Sequence, residues 1–369
     1  MKLAIILFNL GGPDSPEAVE PFLRNLFSDP AIISLPWVLR APLARFIARR
    51  RAPLAKKIYA HIGGRSPILE ETQKQARALE TALAGPGIEA RAFVAMRCWH
   101  PFSDGTALAV KKFAPDRVVA LPLYPQYSTT TSASSFKDWD RAAKKAGLAQ
   151  PLTRICCYPD LPGFITAAAG KIRAAMADAR PGLSYRLLFS AHGLPKKTIA
   201  GGDPYQWQVE ATARALVDAL GINGPSSTIM DWKICYQSRV GPLKWLEPST
   251  DAEITRAGRE GLGVIVAPIA FVSEHSETLV ELDIEYEKLA RRAGVPDYRR
   301  AVTVGADPAF IAGLADLVRR AASSAHTING GNGNSGADRL CPAQFCRCGF
   351  ETTEHRPGAD SGSVSAGAA

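Results

Sequence analysis

A chain of 369 residues, 46% apolar and 21% charged, has the composition of a globular protein with a real core and room for one large or two ordinary domains. Its apolar runs all fall short of the roughly 18 to 20 residues a spanning helix needs, which excludes a polytopic membrane protein. The net charge of +9 is modest for the length, and no accompanying motif supports nucleic-acid binding.

The opening MKLAIILFNLGGPDSP carries an apolar stretch that is short and has no small-residue cleavage site after it. It reads as a first buried strand and not as a signal peptide, so the expected compartment is the cytoplasm. Between residues 30 and 57, IISLPWVL runs into RAPLARFIARRRAPLAKK, where basic residues alternate with apolar ones. Such a segment lies on an anionic membrane surface or forms a solvated helix face, and the residues alone leave both open. ILEETQKQARALETALA (68–84) and GFITAAAGKIRAAMADA (163–179) have amphipathic helical spacing. LAIILFNL, EARAFVAM, RVVALPLY, LTRICCY, YRLLFSAH, SSTIMDWKICY and GVIVAPIAF are short, apolar and often β-branched, each about strand length. Strands alternating with helices predict an α/β fold, with parallel sheets covered by helices on both faces.

The two halves look alike. FNLGGP (8–13) and FSAHGLP (189–195) each put a Gly/Pro turn after a strand. RVVALPLYPQYSTTT (117–131) and GVIVAPIAFVSEHSE (263–277) share a buried strand, a proline and a polar loop. An internal duplication follows: two Rossmann-like lobes, 1–155 and 156–325, facing a cleft, with ligands at the carboxyl ends of the strands. From residue 326, HTINGGNGNSGADRL is Gly/Asn/Ser-rich and predicts a flexible linker into a cysteine-rich extension ending near 350. Residues 351–369 read as a disordered tail.

Two of the six histidines, His192 and His275, fall just past buried strands. A strand-end histidine serves as a catalyst or as a structural hydrogen-bonding group, and position alone weighs the two evenly. In SEHSETLVELDIEYEKL (273–289), Ser273 and Ser276 are candidate helix caps. Glu277, Glu281 and Glu285 recur every four residues and share a face, while Leu279, Leu282 and Tyr286 supply an apolar one. An uncompensated carboxylate row costs helix stability. It is a wet outer face, or it runs into a cleft, where it attracts divalent cations and raises carboxylate pKa values.

Seven cysteines divide into four scattered through the globular part and three crowded into CPAQFCRCGF. With no export signal, structural disulfides are not expected. A tight thiol group in a reducing compartment points to a metal or an iron–sulfur centre, with a zinc site or a redundant tail as alternatives.

FNLGGP, IGGRSPI, LPLYPQYSTTT, FSAHGLP, GDPYQWQVEAT, YQSRVGPLKWLEP and APIAFVSEHSETLVELDIEY all resemble ferrochelatases, in the family order, over residues 1 to about 320. The resemblance implies the chelatase fold and the insertion of Fe2+, as substrate, into a porphyrin. It implies that His192 is the active-site histidine, with Glu277 facing it across the porphyrin. Glu281 and Glu285 follow in an acidic row on a partly π-type helix. These four form the expected metal set, and His192 with Glu277 the catalytic pair. Leu10, Tyr59, Arg97, Tyr124, Ser128, Thr130, Trp245 and His275 are the implied porphyrin-pocket residues, and segment 30–57 the lip that borders the pocket and meets the membrane. Imidazole titrates near neutral pH and suits the removal of pyrrole protons, while ring distortion exposes the nitrogen lone pairs.

The cysteine segment resembles the [2Fe-2S]-binding extension of some ferrochelatases. Cys341, Cys346 and Cys348 supply three ligands. Thr129 stands where animal members have a loop cysteine, and Cys156 or Cys157 is the expected fourth ligand, with Cys98 and Cys235 left as core. The resemblance favours protoporphyrin IX over coproporphyrin III, and an enzyme over a non-catalytic porphyrin or haem carrier, since a carrier needs no acid row. It adds peripheral contact with the inner face of the plasma membrane, admits a homodimer and gives nucleic acid no role. Related enzymes acting on cobalt and an earlier tetrapyrrole have a more histidine-rich site and lack these blocks.

Overall fold

Long apolar runs with no polar alternation need cover on both faces, and the central strands of each sheet take that form. The computed structural model describes residues 1–350 except 223–227, 240, 242 and 332–337. The strands are β1 (Lys2–Asn9), β2 (Glu89–Met96), β3 (Arg117–Pro122), β4 (Leu152–Arg154), β5 (Tyr185–His192), β6 (Ile229–Gln237), β7 (Gly263–Pro268) and β8 (Tyr298–Arg300). They form two parallel sheets with the same plan, β2-β1-β3-β4 and β6-β5-β7-β8. The duplication expected from the sequence is therefore present as topology. In each sheet the chain reverses direction beside its first strand, and such switch points hold ligands at the carboxyl ends. Asn9 ends β1 and His192 ends β5, at equivalent places.

The connecting helices are α1 (Val19–Phe27), α2 (Trp37–Ala60), α3 (Ile68–Leu83), α4 (Ser103–Phe113), α5 (Ser132–Ala146), α6 (Pro162–Ala177), α7 (Lys196–Ala200), α8 (Tyr205–Leu220), α9 (Thr250–Arg259), a π-helix (Glu277–Tyr286) continuing into α10 (Glu287–Arg292), and α11 (Pro308–Ser323). One core runs through both sheets, from Ile5 and Leu121 to Leu187 and Ile265. α11 crosses α6 so closely that a Cβ on Gly163 would stand 2.3 Å from the Ala309 carbonyl oxygen. Only glycine permits that approach. α11 also packs on α3, so the last helix closes back onto the first sheet.

Segment 30–57 becomes the long helix α2. Its buried side is a row of alanines, Ala44, Ala48 and Ala52, packed toward α1. Its outer side leaves Trp37, Val38, Leu39, Phe46 and Leu54 in solvent, on a helix that carries five arginines and two lysines.

Three expectations change. LTRICCY pairs with β3 only as far as Arg154, and Ile155 bridges onward to Ile328. The start of the expected linker is accordingly paired to the first sheet. Ile328 donates to Arg154 O (2.9 Å), Cys156 to Ile328 O (2.8 Å) and Gly330 to Cys157 O (2.9 Å), and Asn329 is fully buried. Once paired to a strand end, a Gly/Asn segment is held by its backbone, whatever its composition. The cysteine segment likewise packs on the core, with Cys341 and Phe350 buried and Phe345 against Trp207. The tail expected to be disordered, 351–369, lies outside the described residues.

Candidate active site and thiol group

His192 emerges where β5 ends, its carbonyl accepting a 3.1 Å bond from the Tyr205 hydroxyl. The π-helix begins opposite. Glu277 Oε2 lies 2.8 Å from His192 Nδ1, with both side chains partly exposed. Ser238, just past β6, ties the acids together. Its hydroxyl lies 2.8 Å from Glu277 Oε2 and 2.5 Å from Glu281 Oε2, and its N–H donates to Glu281 Oε1 (2.8 Å). Gln237 Nε2 also donates to Glu281 Oε2 (3.1 Å), so the Glu281 carboxyl is gripped from several sides. Burial and the Glu277 charge push the Glu281 carboxyl upward.

The rest of the group is arranged to leave Glu277 as the anion. Burial would raise its pKa, but His192 and the Ser238 hydroxyl hold it well below the usual carboxylate range. Burial would lower the His192 pKa, yet the Glu277 charge and hydrogen bond, with Glu281 further off, outweigh it and move it upward. An ionised Glu277 accepts from Nδ1–H and leaves Nε2 as the basic nitrogen.

The π-helix sets which acids meet. With i→i+5 bonding, Tyr286 falls back over Glu281 and donates to its Oε1 at 3.1 Å. Glu285 is exposed and takes no part in the Ser238 contacts. The two proposed caps do other work: Ser273 donates to Gln75 Oε1 (3.1 Å), and Ser276 reaches the Tyr59 hydroxyl at 3.5 Å. Gln75, buried in α3, also donates to Val272 O and Gly305 O, both at 2.9 Å, and so anchors the loop before Glu277 to the first sheet.

The expected pocket residues divide. Tyr59 and His275 stand near Glu277: the Tyr59 hydroxyl is pushed up to about 12 by burial with Glu277 adding, and His275 adds its charge to the pull on Glu277. Leu10 is half-buried beside the α1–α2 contact. Arg97 is committed to buried Asp29 (2.9 Å) and Ser134 (2.8 Å), with Tyr124 buried close by. Ser128 bonds Asp203 (3.0 Å) and Thr130 (2.9 Å), so these two fasten their loop to the start of α8. Trp245 pairs across to Pro195, next to the His192 turn.

The thiols regroup. Cys156, Cys157, Cys341 and Cys348 come together as a ring of neighbouring thiols, each acting on the next, with Gln208 Nε2 donating to Cys341 Sγ at 3.0 Å. Within the ring, Cys348 is the thiol pushed down, by its neighbours Cys156 and Cys341. Cys346 is exposed, its sulfur 3.9 Å from the Gly201 carbonyl and apart from the ring. Among the described residues, no three His, Cys, Asp or Glu side chains stand ready-made around an ion.

A sequence model of the ferrochelatase family matches residues 2–322. The chain is 54% identical over 350 residues to a ferrochelatase of Phenylobacterium zucineum, covering 94% of this chain and 98% of that protein. The chain belongs to the ferrochelatase family. Its activity is the insertion of Fe2+ into a porphyrin, in haem biosynthesis. A second ferrochelatase, from Wolbachia sp. subsp. Drosophila simulans, is 51% identical over 318 residues, covering 98% of that protein but 86% of this chain. The rest of this ferrochelatase has no counterpart there, and the family match ends before the cysteine segment. SirB from Bacillus subtilis with Fe3+ shares the chelatase fold at 13% identity, with a TM-score of 0.50 over 88% of this chain and 96% of that one.

His192 and Glu277 touch at 2.8 Å. A macrocycle between them would hold them roughly 7 Å apart, two van der Waals contacts. Here nothing separates the two side chains. Sequence reasoning missed Ser238 and Gln75. Ser238 has a left-handed φ of +60°, a strain of about 1–3 kcal/mol that a functional site retains. The block YQSRVGP contained it, but no local pattern marks that conformation.

Proposed function

We propose that this ferrochelatase acts on protoporphyrin IX and that His192 Nε2 takes the pyrrole protons. The carrying observation is the 2.8 Å His192–Glu277 contact, backed by the Ser238–Glu281 link. Insertion replaces two pyrrole N–H protons by Fe2+. A proton accepted at Nε2 makes an imidazolium that Glu277 stabilises and can relieve through Nδ1. Of the four expected metal residues, this reading assigns His192 and Glu277 to the incoming cation. Anaerobic turnover with Fe2+ tests the substrate. Protoporphyrin IX should exceed coproporphyrin III in kcat/KM, and the reverse order would assign the tetracarboxylate. Stoichiometric binding without turnover would mean a carrier.

The C-terminal segment, in this reading, holds a [2Fe-2S] cluster on four thiolates. Four neighbouring thiols are suitable donors, and binding would release the protons they carry and spread the thiolates around the irons. Cys156, Cys157, Cys341 and Cys348 are the favoured ligands, in place of the set containing Cys346. Anaerobically purified protein should be reddish-brown, with iron and sulfide in equal amounts. Cys348→Ser should bleach it, and Cys346→Ser should keep the colour. Bleaching by Cys346→Ser would return Cys346 to the ligand set, and zinc without sulfide would replace the cluster altogether.

α2 supports peripheral contact with the inner face of the plasma membrane, since its exposed Trp37, Leu39 and Phe46 sit among basic residues. No helix among the described residues is long and apolar enough to cross a membrane. Attraction of roughly 1 kcal/mol per basic residue near the surface is screened by salt. The protein should float with phosphatidylglycerol vesicles at low salt and be released at high salt. Absence from the low-salt float would remove the membrane from this reading.

A further inference from the structure

We propose that a basic cleft beside the His192 turn seats a carboxylate side arm of the porphyrin, with Arg239 and Lys244 as its cations. This deepens the porphyrin reading above and rests on it. The cleft has a volume of ≈ 580 Å³ and is lined by Lys196, Arg239, Leu243, Lys244, Trp245 and Glu247, among others. Among the described residues its one lining carboxylate, Glu247, pairs with Lys196 at 2.5 Å and also feels Arg239, one anion against three cations. No carboxylate among the described residues pairs with Arg239 or Lys244, so the cleft is left with a net positive charge open to an anion. Trp245 adds an apolar wall, and its indole Nε1, sheltered from solvent, has no hydrogen-bond partner among the described residues. Exposed Leu243 adds apolar surface. Cations joined to apolar surface suit a flat apolar ring bearing carboxylates and repel Fe2+.

The cleft is built onto the catalytic turn. Lys196 N donates to Lys244 O (2.8 Å), Leu246 N to Leu194 O (2.9 Å) and Gly193 N to Gln237 O (2.9 Å). A Cβ on Gly193 would stand 3.2 Å from Arg239 Cγ and 3.5 Å from Trp245 Cε3. The residue after His192 therefore carries the Arg239 stem and the Trp245 ring directly against it. A carboxylate held here fixes how the macrocycle lies relative to His192, which makes Arg239 and Lys244 substrate-orienting residues.

The test titrates mesoporphyrin IX and its dimethyl ester, by fluorescence in detergent, into wild type and Arg239→Gln/Lys244→Gln. Losing two charge-assisted contacts should weaken the free acid by about tenfold or more and leave the ester unchanged. KM for the free acid should rise by a similar factor, with kcat changed less. Arg239→Lys/Lys244→Arg, which keeps both charges, should hold free-acid affinity near wild type and shows that the loss is electrostatic. Equal weakening of acid and ester, or no weakening of the acid, would overturn the proposal. Wild type that inserts no iron would instead break the porphyrin reading itself, so the two failures are separate.

Discussion

His192→Ala is expected to lower iron insertion by roughly 10²–10⁴-fold, the span that general acid–base catalysis supplies, while porphyrin still binds. The argument begins with topology. His192 is the last residue of β5, at the switch point of the second sheet, with its backbone fixed by Tyr205. Its Nδ1 is occupied by Glu277, so a single basic nitrogen, Nε2, remains for the pyrrole proton. Alanine removes that nitrogen and strips Glu277 of its counter-charge. The side chains of α2 and Trp245 are untouched. Anaerobic assays should show the loss in kcat, with porphyrin fluorescence titration and thermal melting close to wild type. Near-normal turnover in the folded variant would remove His192 from the chemistry.

Glu277→Gln should lower turnover by roughly 10²-fold and also move the pH profile, which a purely structural residue would not do. The His192 pKa is set by burial, which lowers it, against the Glu277 charge and hydrogen bond, which raise it, with a smaller upward push from Glu281. The net direction is upward. Insertion by the wild type therefore rises with pH as a raised His192 pKa is passed and the base becomes neutral. Glutamine removes the largest upward push, the pKa falls, and the acid limb should move to lower pH. Glu281→Gln should cost less, because Glu281 is the acid held toward its neutral form and an amide resembles a protonated carboxyl. Steady-state kinetics from acid to neutral pH separate the cases. An unmoved acid limb in Glu277→Gln would mean that Glu277 does not set the charge on His192. Equal and negligible losses in both variants would reduce the row to a solvated face.

Much of the site was legible because its signals are local. A strand buried on both faces must be apolar throughout, so LAIILFNL and YRLLFSAH announce themselves, and the residue at each strand's end is known once the strand is. His192 and Glu277 were found that way and through the blocks shared with the family. The four-residue carboxylate spacing was less reliable. It assumes an α-helix, and the π-helix brings Tyr286 over Glu281 while Glu285 turns outward.

Composition, strand and helix periods, the repeat of strand–turn motifs and the family's blocks were determined by the sequence itself, since each depends on residues close along the chain. The contact partners were decided by the tertiary structure. Ser238 reaches Glu281 across 43 residues, and Gln75 reaches Val272 across 197. The thiol ring joins the end of β4 to a segment nearly two hundred residues later, choosing Cys348 and leaving Cys346 outside. Three neighbouring cysteines look equivalent in a sequence. Which of them turns inward depends on how Ile328 and Gly330 lay the chain along Ile155–Cys157, a pairing whose strength lies in backbone hydrogen bonds that no side-chain pattern encodes.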